Sequence, residues 1–312
     1  MNGQAFPYLH APVTKLPLLG YKHLKMTMPS AILSAIHVAI NRRQQIRYSV
    51  FLAFMFYLLG YSHFPLGLSS QVLPEASATL RPQGHDILSF SLYGDSDRYV
   101  DGAIANSRLY SEVYKSWRMR VYFDHSVPEH VLGELEANDV ELVNMTGSTH
   151  NKMTWRFLPV SDPGVRRVCV RDIDSRLSLR EKAAVDEWIR SGKAFHVMRD
   201  HPSHSLYAMS GGMWCAQSGE IQITGETLQR ANVGDQYLAD MDFLNSVVWP
   251  TVKDNVLQHD SFSCLSYKAN PFPLPRVGME HVGAVFINNE MREIDVSLLR
   301  EALQQGKSRS CE

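Results

Sequence analysis

One run of the chain constrains the rest. Val165-Arg166-Arg167-Val168-Cys169-Val170-Arg171 has the composition of a short, mostly buried strand, and it ends directly in Asp172-Ile173-Asp174. Residues i and i+2 of an extended chain project to the same face. Asp172 and Asp174 are therefore expected to stand side by side where a buried strand stops. Two hard oxygen donors suit Mg²⁺ or Mn²⁺, which keeps several waters and completes its shell with substrate phosphates. A solvated turn is the other common setting for such a pair.

The pattern around this strand sets the fold class. Ile87–Tyr93 alternates as a strand and stops at Gly94, and Ile104, Leu109, Val113 and Trp117 recur at near-helical spacing. A second strand, Arg120–Phe123, ends in Asp124. Pro128 opens a helix carrying Val131, Leu132 and Leu135. Val140–Val143, Val165–Arg171 and Ala194–Met198 read as further strands, with a helix over Leu179–Ser191. Strands separated by helices predict an α/β fold with a mixed, mostly parallel sheet flanked by helices, which binds ligands outside the carboxyl ends of its strands.

Composition excludes little but is useful. The 312 residues are 45% apolar and 20% charged with a net charge of −1, so there is no electrostatic footprint for nucleic acid. Cys169, Cys215, Cys264 and Cys311 are scattered, which argues against a disulfide scaffold; Cys169 reads as a small core residue.

Near the N-terminus, Arg42, Arg43 and Arg47 precede an apolar run over 48–68, just long enough to cross a bilayer. Basic residues on its N-terminal side predict a single-pass anchor with a cytoplasmic N-terminus. An apolar signal-peptide core or a buried helix are the alternatives. The expected layout is a tail over 1–47, an anchor over 48–68, a stem over 69–85, a catalytic domain over 86–295 and a C-terminal helix or tail over 296–312. Asn144-Met145-Thr146 has the acceptor pattern for N-glycosylation and is compatible with a lumenal domain.

Several stretches together carry a resemblance. They are Ser89–Gly94, Trp155-Arg156-Phe157-Leu158-Pro159, Arg171–Arg176, Met198-Arg199-Asp200-His201-Pro202, Gly211-Gly212-Met213-Trp214, Gly234-Asp235-Gln236-Tyr237-Leu238 and His259-Asp260-Ser261-Phe262. In order and type they resemble DxD-type glycosyltransferases of the GT-A fold, over roughly residues 86–290. The resemblance implies a nucleotide-sugar donor, a glycan or other hydroxyl acceptor, and Mn²⁺ or Mg²⁺ on Asp172 and Asp174. It implies a late histidine, His259, as third metal ligand; a capping or surface histidine is the other reading. It also implies residence in the secretory pathway, with the Golgi as the expected organelle.

The remaining candidates follow from residue type. Arg171, Arg176 and Arg199 are candidates to clamp phosphate, since a planar guanidinium suits bidentate contact. Gly211 and Gly212 fit a loop where backbone approaches a ligand, and Trp214 offers an aromatic face to a sugar; a plain turn before a buried Trp is the alternative. Asp235 is either a helix N-cap or a carboxylate beside the sugar, with Gln236 next to it. His196, Asp200, His201 and His204 lack helical zinc-ligand spacing and read as a loop lining the pocket. Two other functions use the same features. A metal-dependent hydrolase of nucleotide sugars or phosphoesters would need a second carboxylate cluster. A tethered sugar-binding protein would need no chemistry at all.

Overall fold

The computed structural model describes residues 84–231 and 233–311. The expected tail, the anchor and all but the last residues of the stem lie outside the described residues. Among the described residues no helix is long and apolar enough to cross a membrane.

The alternation seen in the sequence becomes β1 (His85–Leu92), α1 (Asp97–Val113), β2 (Arg118–Phe123), α2 (Glu129–Ala137) and β3 (Glu141–Asn144). A ten-residue 3₁₀ helix, Lys152–Ser161, precedes β4 (Val165–Arg171). Then come α3 (Leu179–Ser191), β5 (Phe195–Arg199) and β6 (Met213–Gln217). Helices α4 (Gly225–Arg230), α5 (Ala239–Phe243) and α6 (Trp249–Val252) lead to β7 (Val256–Asp260). After it come α7 (Cys264–Tyr267), the small hairpin β8 (Phe286–Ile287) and β9 (Glu290–Met291), and α8 (Glu293–Gln304).

Seven strands form one sheet in the order β3-β2-β1-β4-β6-β5-β7. All neighbours are parallel except β6, which runs antiparallel to both β4 and β5. The chain leaves β1 toward β2 and β3, while β4 returns on the other side of β1. That reversal opens a crevice at the carboxyl ends of β1 and β4, the place where such sheets bind ligands. Two strands escape the sequence pattern: β6, which holds Trp214, and β7, which holds His259.

Alternation along the strands separates two cores. Leu88, Phe90, Leu92 and Cys169 face α1, α2 and α3, packing on Tyr110, Tyr114, Val131, Leu135 and Trp188. Val168, Val170 and Trp214 face the other layer, packing on Phe157, Val160, Phe243 and Val248. The cysteines differ from expectation. Cys169 and Cys215 are register partners on β4 and β6 and form a disulfide, and Cys264 is joined to Cys311. The first lies inside the sheet core. The second ties the C-terminal end, beyond α8, back to α7.

Arg171 leaves β4 on the helix side. It pairs with buried Glu181 at 2.7 Å, and the Tyr114 hydroxyl donates to the same carboxylate at 2.6 Å. Ser178 caps α3, its Oγ accepting from the Glu181 N–H at 3.2 Å. Helix α3 is thus fastened to the sheet through the residue just before the first aspartate.

A histidine cluster lies beyond β5, with His201 and His281 buried and His204 half-buried. His201 stacks on His281 with centroids 4.7 Å apart, and His204 lies 5.6 Å from His201. Burial pushes His204 down to about 3 and His281 down to about 4, with His201 beside both as a second cause. Folding therefore favours the neutral rings. Below the ordinary histidine value of about 6.5 the unfolded chain takes up protons that the folded chain refuses. The contribution of these rings to stability is expected to be fully present above pH 6.5 and to fall by several kcal/mol as pH drops toward 4. Thermal melts from pH 7.5 to 4 check this; a midpoint flat between pH 6.5 and 4.5 would contradict it.

Candidate functional site

The crevice between β1 and β4 is a cavity of about 230 Å³. Asp172 and Asp174 enter it from the turn that follows β4, in which the Ser175 N–H donates to the Asp172 carbonyl at 3.2 Å. Ser91, Leu92 and Tyr93 enter from the end of β1, Arg98 and Tyr99 from α1, and Arg156 from the 3₁₀ helix. Gly211, Tyr237, Asp240 and Arg292 complete the polar and aromatic wall.

The loop that carries the two aspartates is held rigidly. The Asn106 amide nitrogen on α1 donates to the carbonyls of Ile173 at 3.1 Å and Ser175 at 2.8 Å. Its oxygen accepts from the Leu177 N–H at 3.2 Å. The Ser175 hydroxyl donates to the Asp172 carbonyl at 2.7 Å. Helix α1 comes this close because Gly102 has no side chain: a Cβ there would collide with the Ile173 carbonyl.

Arg156 is the centre of the charge arrangement. Ser89 and Ser91, two residues apart on β1 and so on one face, grip its backbone. Ser89 Oγ donates to the Arg156 carbonyl at 2.7 Å, and Ser91 Oγ accepts from its N–H at 3.1 Å. The buried guanidinium then bridges Asp172 and, at 3.0 Å, Asp240. Arg98 Nε donates to Asp174 Oδ2 at 2.7 Å. Each member of the aspartate pair is thus ion-paired through one oxygen, and its other oxygen takes no hydrogen bond from another described residue.

The glycine pair is shaped by these groups. A Cβ on Gly211 would stand 2.7 Å from the Arg156 guanidinium and against Asp240, and one on Gly212 would overlap Asp172. Close backbone approach is real here, but it is approach to carboxylates and an arginine.

The electrostatics follow from burial. Desolvation, then the like charge of Asp172, raises the Asp174 carboxyl against the pull of Arg98. Desolvation also raises Asp240, with Arg156 opposing and Asp172 adding to the rise. Burial works against the charge of Arg156, but Asp172 and Asp240 outweigh it and hold the guanidinium above its ordinary value.

Other expected residues lie elsewhere. His259 is fully buried on β7, three strand spacings or roughly 14 Å from β4. Its Nδ1 is 2.8 Å from His196 Nε2 and its Nε2 is 3.6 Å from Glu187, so it does not join the aspartates. Arg171 is spent on Glu181 inside the core. Arg199 forms a fully buried pair with Asp260 at 2.6 Å. Arg176 lies over the Phe286 ring and bonds Asn289. Asp200 accepts from Arg180, Arg276, Ser261 and the Val282 N–H, a structural hub rather than a pocket residue. Trp214 is fully buried, its indole N–H donating to the Gly211 carbonyl at 3.2 Å, so no sugar reaches it. Asp235 and Gln236 are exposed outside the cavity wall; the helix begins at Ala239 with Leu238 as its cap, not at Gln236.

Arg98, Arg156, Asp240 and Arg292 were missed. The alternating Ser89-Phe90-Ser91 in β1 was the available signal for a polar partner on that face.

No family model matches the chain, and no curated protein matches it. Solved structures do overlap with it in part. A glycosyltransferase involved in the glycosylation of the major capsid of PBCV-1 is 12% identical, covering 61% of this chain and 90% of that one, at a TM-score of 0.39. The 4-diphosphocytidyl-2C-methyl-D-erythritol synthase of Anaerococcus prevotii is 11% identical, covering 71% and 99%, with a TM-score of 0.39. The core-mannan synthase A of Aspergillus fumigatus, in a Mn/GDP form, is 6% identical, covering 59% and 74%, with a TM-score of 0.33.

Removing the Arg156 charge leaves the buried Asp240 carboxylate unpaired beside the partly exposed Asp172. Arg156→Met is expected to cost about 3–5 kcal/mol. Adding Asp240→Leu should recover part of that loss, because one of the two stranded charges goes with it. Urea unfolding of the single and double variants measures both; strictly additive losses would show that the bridge carries no coupling.

Proposed function

We propose that this domain is a metal-dependent glycosyltransferase that moves a sugar from a nucleotide-diphosphate donor to an acceptor hydroxyl. The observation that carries the proposal is the pairing, in one cavity at the β1/β4 reversal, of two aspartates with three arginines. Asp172 and Asp174 each keep one carboxylate oxygen unengaged, while Arg98, Arg156 and Arg292 line the same wall. A diphosphate needs positive charge around it, and a hard divalent ion needs carboxylate oxygens.

The residues fit Mn²⁺ or Mg²⁺ held by Asp172 and Asp174. Among the described residues no third histidine, cysteine or acidic ligand converges on the pair. Two carboxylates, with the rest of the shell from water and phosphate, is the arrangement typical of Mg²⁺. When bound, such an ion supplies Lewis-acid neutralisation of charge building on the leaving diphosphate.

The chain's own groups have separable roles in this reading. Asn106 and Ser175 fix the loop so that both carboxylates face the cavity. Arg98 and Arg156 orient the carboxylates they pair with and add positive charge beside the diphosphate. Asp240, not Asp235, is the carboxylate placed to act on the acceptor or the sugar. Its raised pKa brings a proton acceptor nearer the working range. Tyr237, 87% exposed at the cavity wall, takes the place expected of Trp214 as the aromatic face for a ring.

A hydrolase is less well supported. Its second metal would need a further carboxylate cluster, and among the described residues none converges on the aspartate pair. Residence in the secretory pathway is part of the proposal and is supported by the two disulfides, which persist in oxidising compartments.

The test is donor turnover by the full chain with UDP- and GDP-sugars and Mn²⁺, with and without EDTA. Release of nucleoside diphosphate should depend on metal and fall about 10²-fold or more in Asp174→Asn. Asp240→Asn should reduce transfer strongly, and Asp235→Asn should leave it near wild type. If no nucleoside diphosphate binds in the presence of metal, the proposal fails.

A further inference from the structure

We infer that Asn144 carries an N-linked oligosaccharide, an inference that rests on the proposal that this domain folds in an oxidising lumen. Asn144-Met145-Thr146 is the only Asn-X-Ser/Thr triplet, with X other than proline, in the whole sequence. A glycan on such a triplet is compatible with the finished fold only where the asparagine reaches the surface, and here it does.

Asn144 is the last residue of β3, the edge strand of the sheet, and its side chain is exposed. The strand ends there because the chain folds into a tight local turn. The Asn144 Oδ1 accepts from the Thr146 N–H at 2.9 Å, and the Met145 N–H donates to the Phe123 carbonyl at 2.6 Å. Gly147 follows at φ +86, carrying the chain away from the sheet. The amide nitrogen of Asn144 takes no part in these bonds. Thr146 is exposed, and its Oγ1 accepts from the His125 N–H at 3.0 Å, which leaves its hydroxyl proton free. Both functional groups of the triplet therefore stand in solvent at the rim of the fold, and the fold itself uses only their acceptor atoms.

The register places a glycan where it does no steric harm. Asn144 pairs with Phe123, and Phe123 with Leu92 of the cavity wall. Asn144 is thus two strand spacings, about 10 Å, to the side of the cavity. An oligosaccharide there borders the mouth without filling it. It also covers the carboxyl end of the unpaired β3 edge, where exposed backbone groups would otherwise invite strand addition.

The modification is a group transfer from a lipid-diphosphate-linked oligosaccharide. A bond forms between Asn144 Nδ2 and the anomeric carbon of the first sugar. The bond from that carbon to the diphosphate oxygen breaks, and its electron pair leaves with the lipid diphosphate. One proton is lost from the amide nitrogen.

The full chain with a C-terminal epitope tag, expressed in a eukaryotic secretory cell, tests this directly. Digestion with a peptide-N-glycanase should increase mobility by one oligosaccharide and convert Asn144 to Asp in the recovered peptide. Asn144→Gln and Thr146→Val should remove the shift, and Thr146→Ser should keep it. Attachment precedes completion of the fold, so these readouts do not depend on the variants folding. In parallel, the unreduced protein is treated with a maleimide reagent of high mass. Blocked cysteines with no glycan shift would overturn the assignment of Asn144 while leaving the oxidising-lumen proposal standing. Cysteines open to the reagent together with no shift would overturn both. A shift that persists in Asn144→Gln would also overturn the assignment.

Discussion

Three carboxylates lean into one small cavity, and a single guanidinium makes that arrangement foldable. Arg156 stands between Asp172 and Asp240, with Ser89 and Ser91 holding its backbone from both sides. Without it, like charges would face one another across a wall from which much of the water is excluded, where the effective dielectric is low. The bridge is also costly to build. Arg156 Nε is buried and has no hydrogen-bond partner among the described residues, a loss of about 1–3 kcal/mol. Even with the bridge in place, burial and the charge of Asp172 raise both Asp174 and Asp240. Ionised carboxylates are therefore costly in this cavity, and a bound divalent cation would relieve that cost, which supports the proposed function.

A second anchor decides the far side of the cavity. Arg180 and Arg276 hold the Asp200 carboxyl below its usual range even though burial pushes the other way. Arg276 belongs to the segment that follows β7, and the Val282 N–H donates to the same carboxylate at 2.9 Å. Val285 and Arg292, a little further on, reach the cavity wall. The Cys264–Cys311 disulfide closes the loop that contains all of them, and His201 bonds the Asp295 carbonyl at 3.0 Å from α8. The residues proposed to face substrate from the C-terminal side are thus positioned by a buried carboxylate hub some distance from the chemistry. This is why Asp200 and His201, expected at the pocket, matter to it only through other residues.

Much of the fold was legible, and the reason it was partly hidden is equally physical. Strands β1 to β5 and helices α1 to α3 alternate in the sequence because the central strands β1, β4 and β5 are buried on both faces and each helix shows one wet side. Strand β6 escaped because Gly211-Gly212 announces a turn and only five residues follow before the pattern ends. Strand β7 escaped because Gln258, His259 and Asp260 are polar, and their burial depends on Arg199, His196 and Gln258 finding one another across the sheet. With β6 unseen, Cys169 and Cys215 had no register to meet in, and Trp214 had no core to enter. The expected roles of His259 and Trp214 rested on order along the chain, and the sheet order separates β7 from β4 by two strands.

The motif itself shows where the limit of sequence reading lies. Arg171 and Asp172 are adjacent, and both are polar residues at the end of one buried strand. Alternation sends them to opposite faces, one to Glu181 under α3 and one to the cavity and Arg156. Asp172 and Asp174 share the cavity because the chain turns directly after β4, so the spacing named the pair but not the geometry that brings it together. Their partners were not predictable from spacing, because Arg98, Arg156 and Asp240 come from three other elements and meet the pair only after the sheet has formed. Among these, Arg156 was visible inside Trp155-Arg156-Phe157-Leu158-Pro159 but had no partner until Asp240 replaced Asp235 at the cavity. The place of the pair follows from the buried strand that ends just before it; the charges that balance it follow from topology.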